Sequence, residues 1–245
     1  MNSATPADNI GNKGERLVPG LSSPRLVDEH LARNEFAGAL AVGKDVLDIA
    51  CGTGYGSHRL AEVARKVVGA DVSVEAVDYA RRNFSRDNLE YRIIDAGRDD
   101  LGEAAYDIIV SFETIEHLET GARAAFLANV VRALRPDGMF LLSTPNKRVT
   151  SPFTAKPLNR FHVIEFTRPD LSAELSGFFG DCEWRGQRFV PTFLLWKPVR
   201  LAIRLVEKVL RRDFGLYTTV FDYRVRPWSS RLVEPRLQVV SCRKR

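Results

Sequence analysis

An apolar run broken by three glycines, Val46-Leu47-Asp48-Ile49-Ala50-Cys51-Gly52-Thr53-Gly54-Tyr55-Gly56, restricts the fold of this chain more than any other stretch. It reads as a short buried strand that turns sharply on glycine and opens a helix. Glycine lets the backbone approach a nucleotide-type ligand closely and tolerates a positive φ, so the turn suits such a ligand. A dinucleotide fingerprint is spaced G-x-G-x-x-G, and Gly52-x-Gly54-x-Gly56 fits it poorly.

Strand and helix patterns alternate around this turn. Strands are expected at residues 45–50, 66–71, 89–94, 106–112 and 139–143, with helices at 54–65, 74–83 and 121–134. Leu127, Val130, Val131 and Leu134 recur at helical spacing, and Arg135-Pro136-Asp137-Gly138 closes that helix as a turn. Repeated β-α units of this kind build a Rossmann-like, doubly wound α/β fold with a mostly parallel sheet. A loop to about residue 165, a helix at 169–178, a strand at 182–190 and a last strand at 237–242 complete the pattern. The organisation expected is a disordered leader (1–13), a helical lead-in (14–43), a core (44–190), a basic insert (191–235), and a final strand with its tail (236–245).

The 245 residues suffice for one such domain with decorations. No run of eighteen apolar residues suggests a membrane-crossing helix, and residues 1–12 lack a hydrophobic signal core, so a cytoplasmic location is expected. Cys51, Cys182 and Cys242 are too few and too scattered for a disulfide framework or zinc knuckle, and each is expected to be a reduced core residue. The net charge of +5 is uneven: residues 196–245 hold thirteen Lys/Arg against four Asp/Glu, a net of +9, which leaves −4 for the rest. A nucleic-acid binder spreads its positive charge over a binding face, so a nucleic-acid partner is not expected.

Three acids end three successive strands. Asp48 can accept hydrogen bonds from a cationic amino group, which S-adenosylmethionine (SAM) carries and a dinucleotide lacks near its pyrophosphate. Asp71 can bind both ribose hydroxyls, and Asp95 the adenine amine. Any one of them could simply cap the following helix. Together they point to SAM.

The motifs Val-Leu-Asp-Ile-Ala-Cys-Gly-Thr-Gly, Val-Val-Gly-Ala-Asp-Val-Ser, Tyr-Asp-Ile-Ile-Val-Ser-Phe-Glu-Thr-Ile-Glu-His-Leu and Leu-Arg-Pro-Asp-Gly-Met-Phe-Leu-Leu-Ser-Thr-Pro-Asn resemble class I SAM-dependent methyltransferases in order and spacing over residues 40–170. The resemblance implies a seven-stranded sheet with its last strand antiparallel. It implies cofactor contacts from Asp48, Ala50, Cys51, Gly52, Gly54, Asp71, Val72, Asp95, Ala96 and Phe112. Ala50 stands where many members have their first glycine.

Methyl transfer is an in-line displacement at an already activated sulfonium, so the protein must align the nucleophile and manage its proton. If Glu113-Thr114-Ile115-Glu116-His117 forms a helical turn, Glu113, Glu116 and His117 share one face and could hold a divalent metal, or His117 could act alone as general base. The Glu-x-x-Glu-His spacing resembles ubiquinone-pathway O-methyltransferases and small-RNA 2′-O-methyltransferases, in which a divalent cation such as Mg²⁺ gathers vicinal hydroxyls. On that resemblance Glu113, Glu116, His117 and His162 (in Phe161-His162-Val163-Ile164-Glu165-Phe166) are the candidate ligands, and Glu116 and His117 the candidate catalytic pair. Glu-His at this place also caps a helix or lines the acceptor cleft in relatives with no known metal. His30 and His58 read as ordinary polar helix residues. The lead-in around Gly14–Gly20 and Asp28–Leu31 resembles glycan and natural-product methyltransferases, which implies a sugar-like or other small-molecule acceptor.

Residues 198–212 form a basic amphipathic helix, with Arg200, Arg204, Lys208 and Arg211 on one face and Val199, Ala202, Ile203, Val206, Val209 and Leu210 on the other. It is expected to pack its apolar stripe on the sheet or on a second copy in a homodimer. Alternatively, with Phe193–Trp196, it meets an anionic membrane surface as a peripheral contact, or its basic face draws in a phosphorylated or nucleic-acid substrate. Tyr217, Phe221, Tyr223 and Trp228 read as lining a lid over the acceptor or as that lid's own core. The function expected is O-methylation of a sugar, glycolipid or secondary metabolite. The alternatives are N-methylation of an amino sugar, RNA 2′-O-methylation, and a non-catalytic SAM-binding scaffold.

Overall fold

The computed structural model describes residues 17, 22–211 and 223–245; the expected leader, Tyr217 and Phe221 lie outside them. One sheet contains β1 (Asp45–Ile49), β2 (Lys66–Asp71), β3 (Leu89–Ile93), β4 (Tyr106–Phe112), β5 (Leu134–Pro145), β6 (Phe179–Pro191), β7 (Arg226–Pro227) and β8 (Val233–Lys244). Their order is β3-β2-β1-β4-β5-β8-β6-β7. The first five strands pair in parallel, and β8 lies antiparallel between β5 and β6. The Rossmann-like fold is therefore as expected, with eight strands instead of seven. The additional one, β7, is a two-residue strand from within the insert that pairs with the outer edge of β6.

Val46, Leu47, Ile49, Ile109 and Val110 of the two central strands are at most 1% exposed, because helices cover both faces of the sheet. The helices are α1 (Pro24–Ala41), α2 (Tyr55–Leu60), α3 (Val74–Asn83), α4 (Thr120–Ala133), α5 (Lys147–Thr150), α6 (Arg168–Ser176) and α7 (Lys197–Leu210). α4 buries Phe126, Leu127 and Val130, and Phe126 meets Phe140 edge-on at 6.0 Å while Phe140 stacks on Phe179 at 5.4 Å. Each such side chain stabilises the fold by roughly 1.5–3 kcal/mol through burial. α2 is shorter than the expected 54–65 because the chain must already turn into β2: the Arg65 N–H donates to the Lys44 carbonyl at 2.9 Å.

The pairing of β6 with β8 sets Cys182 opposite Cys242, with Cα atoms 4.2 Å apart and the sulfurs joined in a disulfide. The expectation of three reduced cysteines is thus corrected for two of them. Sixty residues of separation conceal a cross-strand contact that only the sheet register creates. Cys51 remains a buried thiol, and burial together with Asp48 and Asp71 pushes its pKa up, which opposes nucleophilic use.

The strand order reverses between β1 and β4, which pair as Val46↔Ile108 and Asp48↔Val110. The glycine turn after β1 and the acid–histidine segment after β4 therefore leave the same edge of the sheet side by side. In open α/β sheets such a reversal is where ligands bind.

Candidate active site

The turn after β1 is built from positive-φ residues: Ala50 (φ 60°), Gly52 (57°) and Gly54 (84°). A Cβ on Gly54 would lie 2.5 Å from Ala80 Cβ and 2.7 Å from Tyr91 Oη, so this position must be glycine on both conformational and steric grounds. Ala50 holds the left-handed conformation with a side chain, at a cost of roughly 1–2 kcal/mol. Strain at such a turn is what a ligand cradle carries.

Asp48 is buried at the end of β1 and accepts a hydrogen bond from Ser57 Oγ at 2.6 Å. Burial pushes its pKa up to about 7; the Ser57 bond opposes this and the nearby Asp71 charge adds to it. Asp71 accepts from the Gly52 N–H and the Ser73 N–H, both at 2.9 Å, and so ties the turn to the end of β2. Each carboxylate oxygen still has a second acceptor direction for a ribose hydroxyl. Asp95 lies in the loop after β3, where it accepts from the Gly97 N–H at 3.0 Å. Val72 is 65% exposed beside Asp71, an apolar surface suited to a base. Ala96 packs against the core and Phe112 ends β4 with Arg33 above its ring at 5.9 Å.

The segment after β4 differs from the expected helical turn. Only Ile115–His117 forms a 3₁₀ turn, and Glu113 precedes it with φ 54°. Glu113 therefore does not share a helical face with Glu116 and His117, and its carboxylate accepts instead from Ser143 Oγ at 2.6 Å. Among the described residues, Glu116, His117 and His162 form the one group whose ligand atoms all lie within 4.8 Å of one another, so Glu113 is removed from the expected metal set.

Backbone bonds hold that group together: the N–H groups of Val163 and Ile164 both donate to the Glu116 carbonyl, at 2.9 and 3.2 Å. Glu116 is fully buried and accepts from Thr144 Oγ1 at 2.9 Å. His117 Nδ1 lies 3.0 Å from the Phe161 carbonyl, which can only accept, so Nδ1 carries the proton and Nε2 the lone pair. The His162 ring meets that of His117 edge-on at 5.1 Å, and its Nδ1 bonds Glu165 at 2.9 Å. Burial pushes the Glu165 carboxyl up, but hydrogen bonds from His162, Thr150 and Ser151 outweigh it and hold it below the usual range. An imidazole oriented by a carboxylate at its far nitrogen is the usual support of a metal-binding histidine. His162 Nε2 also accepts from Asn159 Nδ2 at 2.9 Å, a bond that a metal would replace.

These side chains line a cavity of about 720 Å³ together with Glu29, His30, Arg188 and Arg236. None of those four was expected from the sequence, and His30 in particular is not an ordinary surface residue. Burial and the Arg33 charge push its pKa down. His58 stays outside, with its ring 5.7 Å from that of Phe84. Trp228 is buried against Trp184 at 6.3 Å with Arg168 above both rings, so it packs on β6 and does not line the cavity.

Residues 46–138 match the family model described as "Methyltransferase domain". A protein named "probable S-adenosylmethionine-dependent methyltransferase" from Mycolicibacterium smegmatis is 36% identical over 168 residues, 67% of this chain and 64% of that protein. Residues 46–138 form a methyltransferase domain of the class I SAM-dependent type. A mitochondrial ubiquinone biosynthesis O-methyltransferase of Schizosaccharomyces pombe is 29% identical over 70% of this chain and 65% of its own length. The chain thus spans somewhat less than two thirds of either relative. The N-methyltransferase NodS of Bradyrhizobium japonicum, solved with S-adenosyl-L-homocysteine (SAH), shares the fold at a TM-score of 0.60 and 16% identity, over 91% of this chain and 89% of its own. SAM is the cofactor of this family.

Proposed function

We propose that this methyltransferase transfers the methyl group of SAM to a hydroxyl of a sugar, glycolipid or secondary metabolite. One observation carries the reading: Glu116, His117 and His162 converge in a cavity at the sheet edge from which the glycine turn also emerges. SAM lies along the turn, with Asp48 toward its amino group, Asp71 on its ribose, and Asp95, Val72 and Ala96 around its base. The acceptor oxygen attacks the methyl carbon, the carbon–sulfur bond breaks, and its electron pair stays on sulfur as SAH forms. The hydroxyl proton passes to the Nε2 lone pair of His117, the ring being fixed by its Nδ1–H bond to Phe161. One carboxylate and two imidazoles suit a divalent ion of the manganese type better than Mg²⁺. Held by Glu116, His117 and His162, such an ion would take the same Nε2 lone pair and, in place of the base, would supply a Lewis acid for the acceptor oxygen. The test is incubation with labelled SAM and paired hydroxyl and amine forms of one sugar. Label on oxygen supports the reading; label on the amine alone makes this an N-methyltransferase; SAH-site binding with no transfer to any acceptor makes it a scaffold.

Asp48 adds a pH dependence. Only its ionised form pairs with the SAM ammonium, while in the unliganded protein its pKa is about 7 with Asp71, Cys51, Tyr55 and Tyr91 around it. Binding therefore releases a proton below pH 7. Calorimetry should show SAM affinity falling by up to about tenfold per pH unit from 7 to 5, and a flat, weaker profile in Asp48→Asn. An equally steep profile in Asp48→Asn removes Asp48 from the cofactor site.

The insert helix supports a peripheral membrane contact. Of the expected apolar stripe, Val199 and Ile203 are half-buried while Val206, Val209 and Leu210 are 45–71% exposed, as are Leu201, Leu205, Phe193 and Trp196 beside them, so this part of it does not pack on the sheet. Arg200, the helix's one buried residue, donates to the Val149 carbonyl at 3.0 Å and so holds the stripe outward. Arg204, Lys208 and Arg211 flank it with positive charge, the pattern of a helix lying on an anionic interface. Co-sedimentation with phosphatidylglycerol vesicles is expected, lost in Leu205→Glu/Val209→Glu and with phosphatidylcholine alone. A concentration-dependent dimer without vesicle binding assigns the stripe to a second copy.

A further inference from the structure

The cavity has a second chemical character that proton transfer to His117 does not use. β6 and β8 bring Arg188 and Arg236 to its wall between the pairs Gln187↔Leu237 and Phe189↔Pro235. Arg188 sits in β6 with φ 56°, a strained conformation for a side-chain-bearing residue in a strand. Its Nη1 donates to Glu29 at 2.9 Å, and both side chains are about nine-tenths buried.

Glu29 faces more than one guanidinium group. It also lies 3.9 Å from Arg33, whose Nη1 donates to Gln187 at 2.7 Å. Glu165, the next acid on the wall, is occupied by His162 and Thr150. Among the described residues no hydrogen bond or ion pair engages the Arg236 guanidinium, although the residue is half-buried and lines the cavity. Burial, and then the Arg188 charge, hold its pKa below the usual arginine range; Glu29 and Glu165 oppose this and Arg25 adds to it. Among the described residues, the Nε atoms of Arg25 and Arg33 are also buried with no hydrogen-bond partner. A guanidinium withdrawn from water without a counter-ion is unfavourable, and a bound anion relieves it.

We infer that the acceptor carries an anionic group, a carboxylate or a phosphate ester, which the Arg236 guanidinium receives beside Arg188 while the hydroxyl faces His117. This rests on the reading of the cavity as the acceptor site. The planar fork of arginine matches either group through two parallel N–H bonds. The two cavity ends then divide the work: the arginines position the acceptor and the acid–histidine group handles the reacting oxygen.

The test is calorimetric titration of the full chain saturated with SAH, using glucose 6-phosphate, glucuronate and methyl glucoside as probes. At least one anionic sugar should bind tenfold or more tighter than the neutral one, and the two anions separate phosphate from carboxylate. Arg236→Gln should abolish that preference, about 10- to 100-fold, Arg236→Lys should keep part of it, and SAH affinity should be unchanged in both. Equal binding of neutral and anionic sugars, no measurable binding of either anion, or an undiminished preference in Arg236→Gln overturns the inference. Anion binding through Arg236 in a protein that methylates no hydroxyl leaves this inference standing and removes the O-methylation reading instead.

Discussion

His117→Ala should lower kcat/KM for methyl transfer to a hydroxyl by about 10²- to 10⁴-fold, the range that a positioned general base supplies. SAH affinity should be unchanged, because His117 belongs to the segment after β4 and Asp48, Asp71 and Asp95 to the ends of β1, β2 and β3. The effect is expected to be this large because the ring has one available geometry. Its Nδ1–H is committed to the Phe161 carbonyl, so Nε2 is the only lone pair it can offer. His162→Ala should also slow transfer, since it removes the ring set edge-on at 5.1 Å and releases Glu165 from its partner. Steady-state rates with labelled SAM, beside SAH titrations on the same preparations, check both variants. A His117→Ala enzyme within a few-fold of wild type would remove the residue from the chemistry.

Gly54→Val should be the most damaging single change in the cofactor turn. At φ 84° a β-branched residue is strongly disfavoured, and its Cβ would enter space held by Ala80 and Tyr91. Left-handed strain of about 1–2 kcal/mol and overpacking of about 1–3 kcal/mol together amount to roughly 2–5 kcal/mol. For a domain of this size that lowers Tm by roughly 5–15 °C, measurable by circular dichroism. In whatever fraction folds, the displaced turn should bind SAH too weakly to detect. Wild-type SAH affinity in Gly54→Val would place the cofactor elsewhere.

What could be read in the sequence was what short range encodes. The turn from Asp48 to Gly56 declares itself because strand, glycines and helix are contiguous, and Asp71 and Asp95 because each follows its own apolar run. The alternation of patterns was enough for a mostly parallel sheet; the late antiparallel strand came from the resemblance to class I SAM-dependent methyltransferases. Glu113 was misplaced because a residue between a strand and a 3₁₀ turn can take a positive φ that i, i+3 spacing does not reveal. Cys182–Cys242 was hidden because sheet register joins it, and Glu29–Arg188 because a contact between α1 and β6 joins residues 159 positions apart. The insert helix was recognised, but the direction of its apolar stripe depends on Arg200 reaching the Val149 carbonyl, a contact across 51 positions. Glu165 had a local signal, three residues after His162, that could have marked it as the partner of that ring.

The account depends most on the Glu116–His117–His162 centre acting on oxygen. It is tested most directly by the rate and product of methyl transfer to a hydroxyl-bearing acceptor in chelator-stripped wild type and His117→Ala, as Mn²⁺ or Mg²⁺ is added back. The predicted result is an O-methyl product whose rate stays low throughout in His117→Ala; a wild-type rate that needs no cation leaves the Nε2 lone pair to the proton, and one that rises and saturates with the cation gives it to the metal. A rate that ignores both chelator and cation and survives in His117→Ala would contradict it.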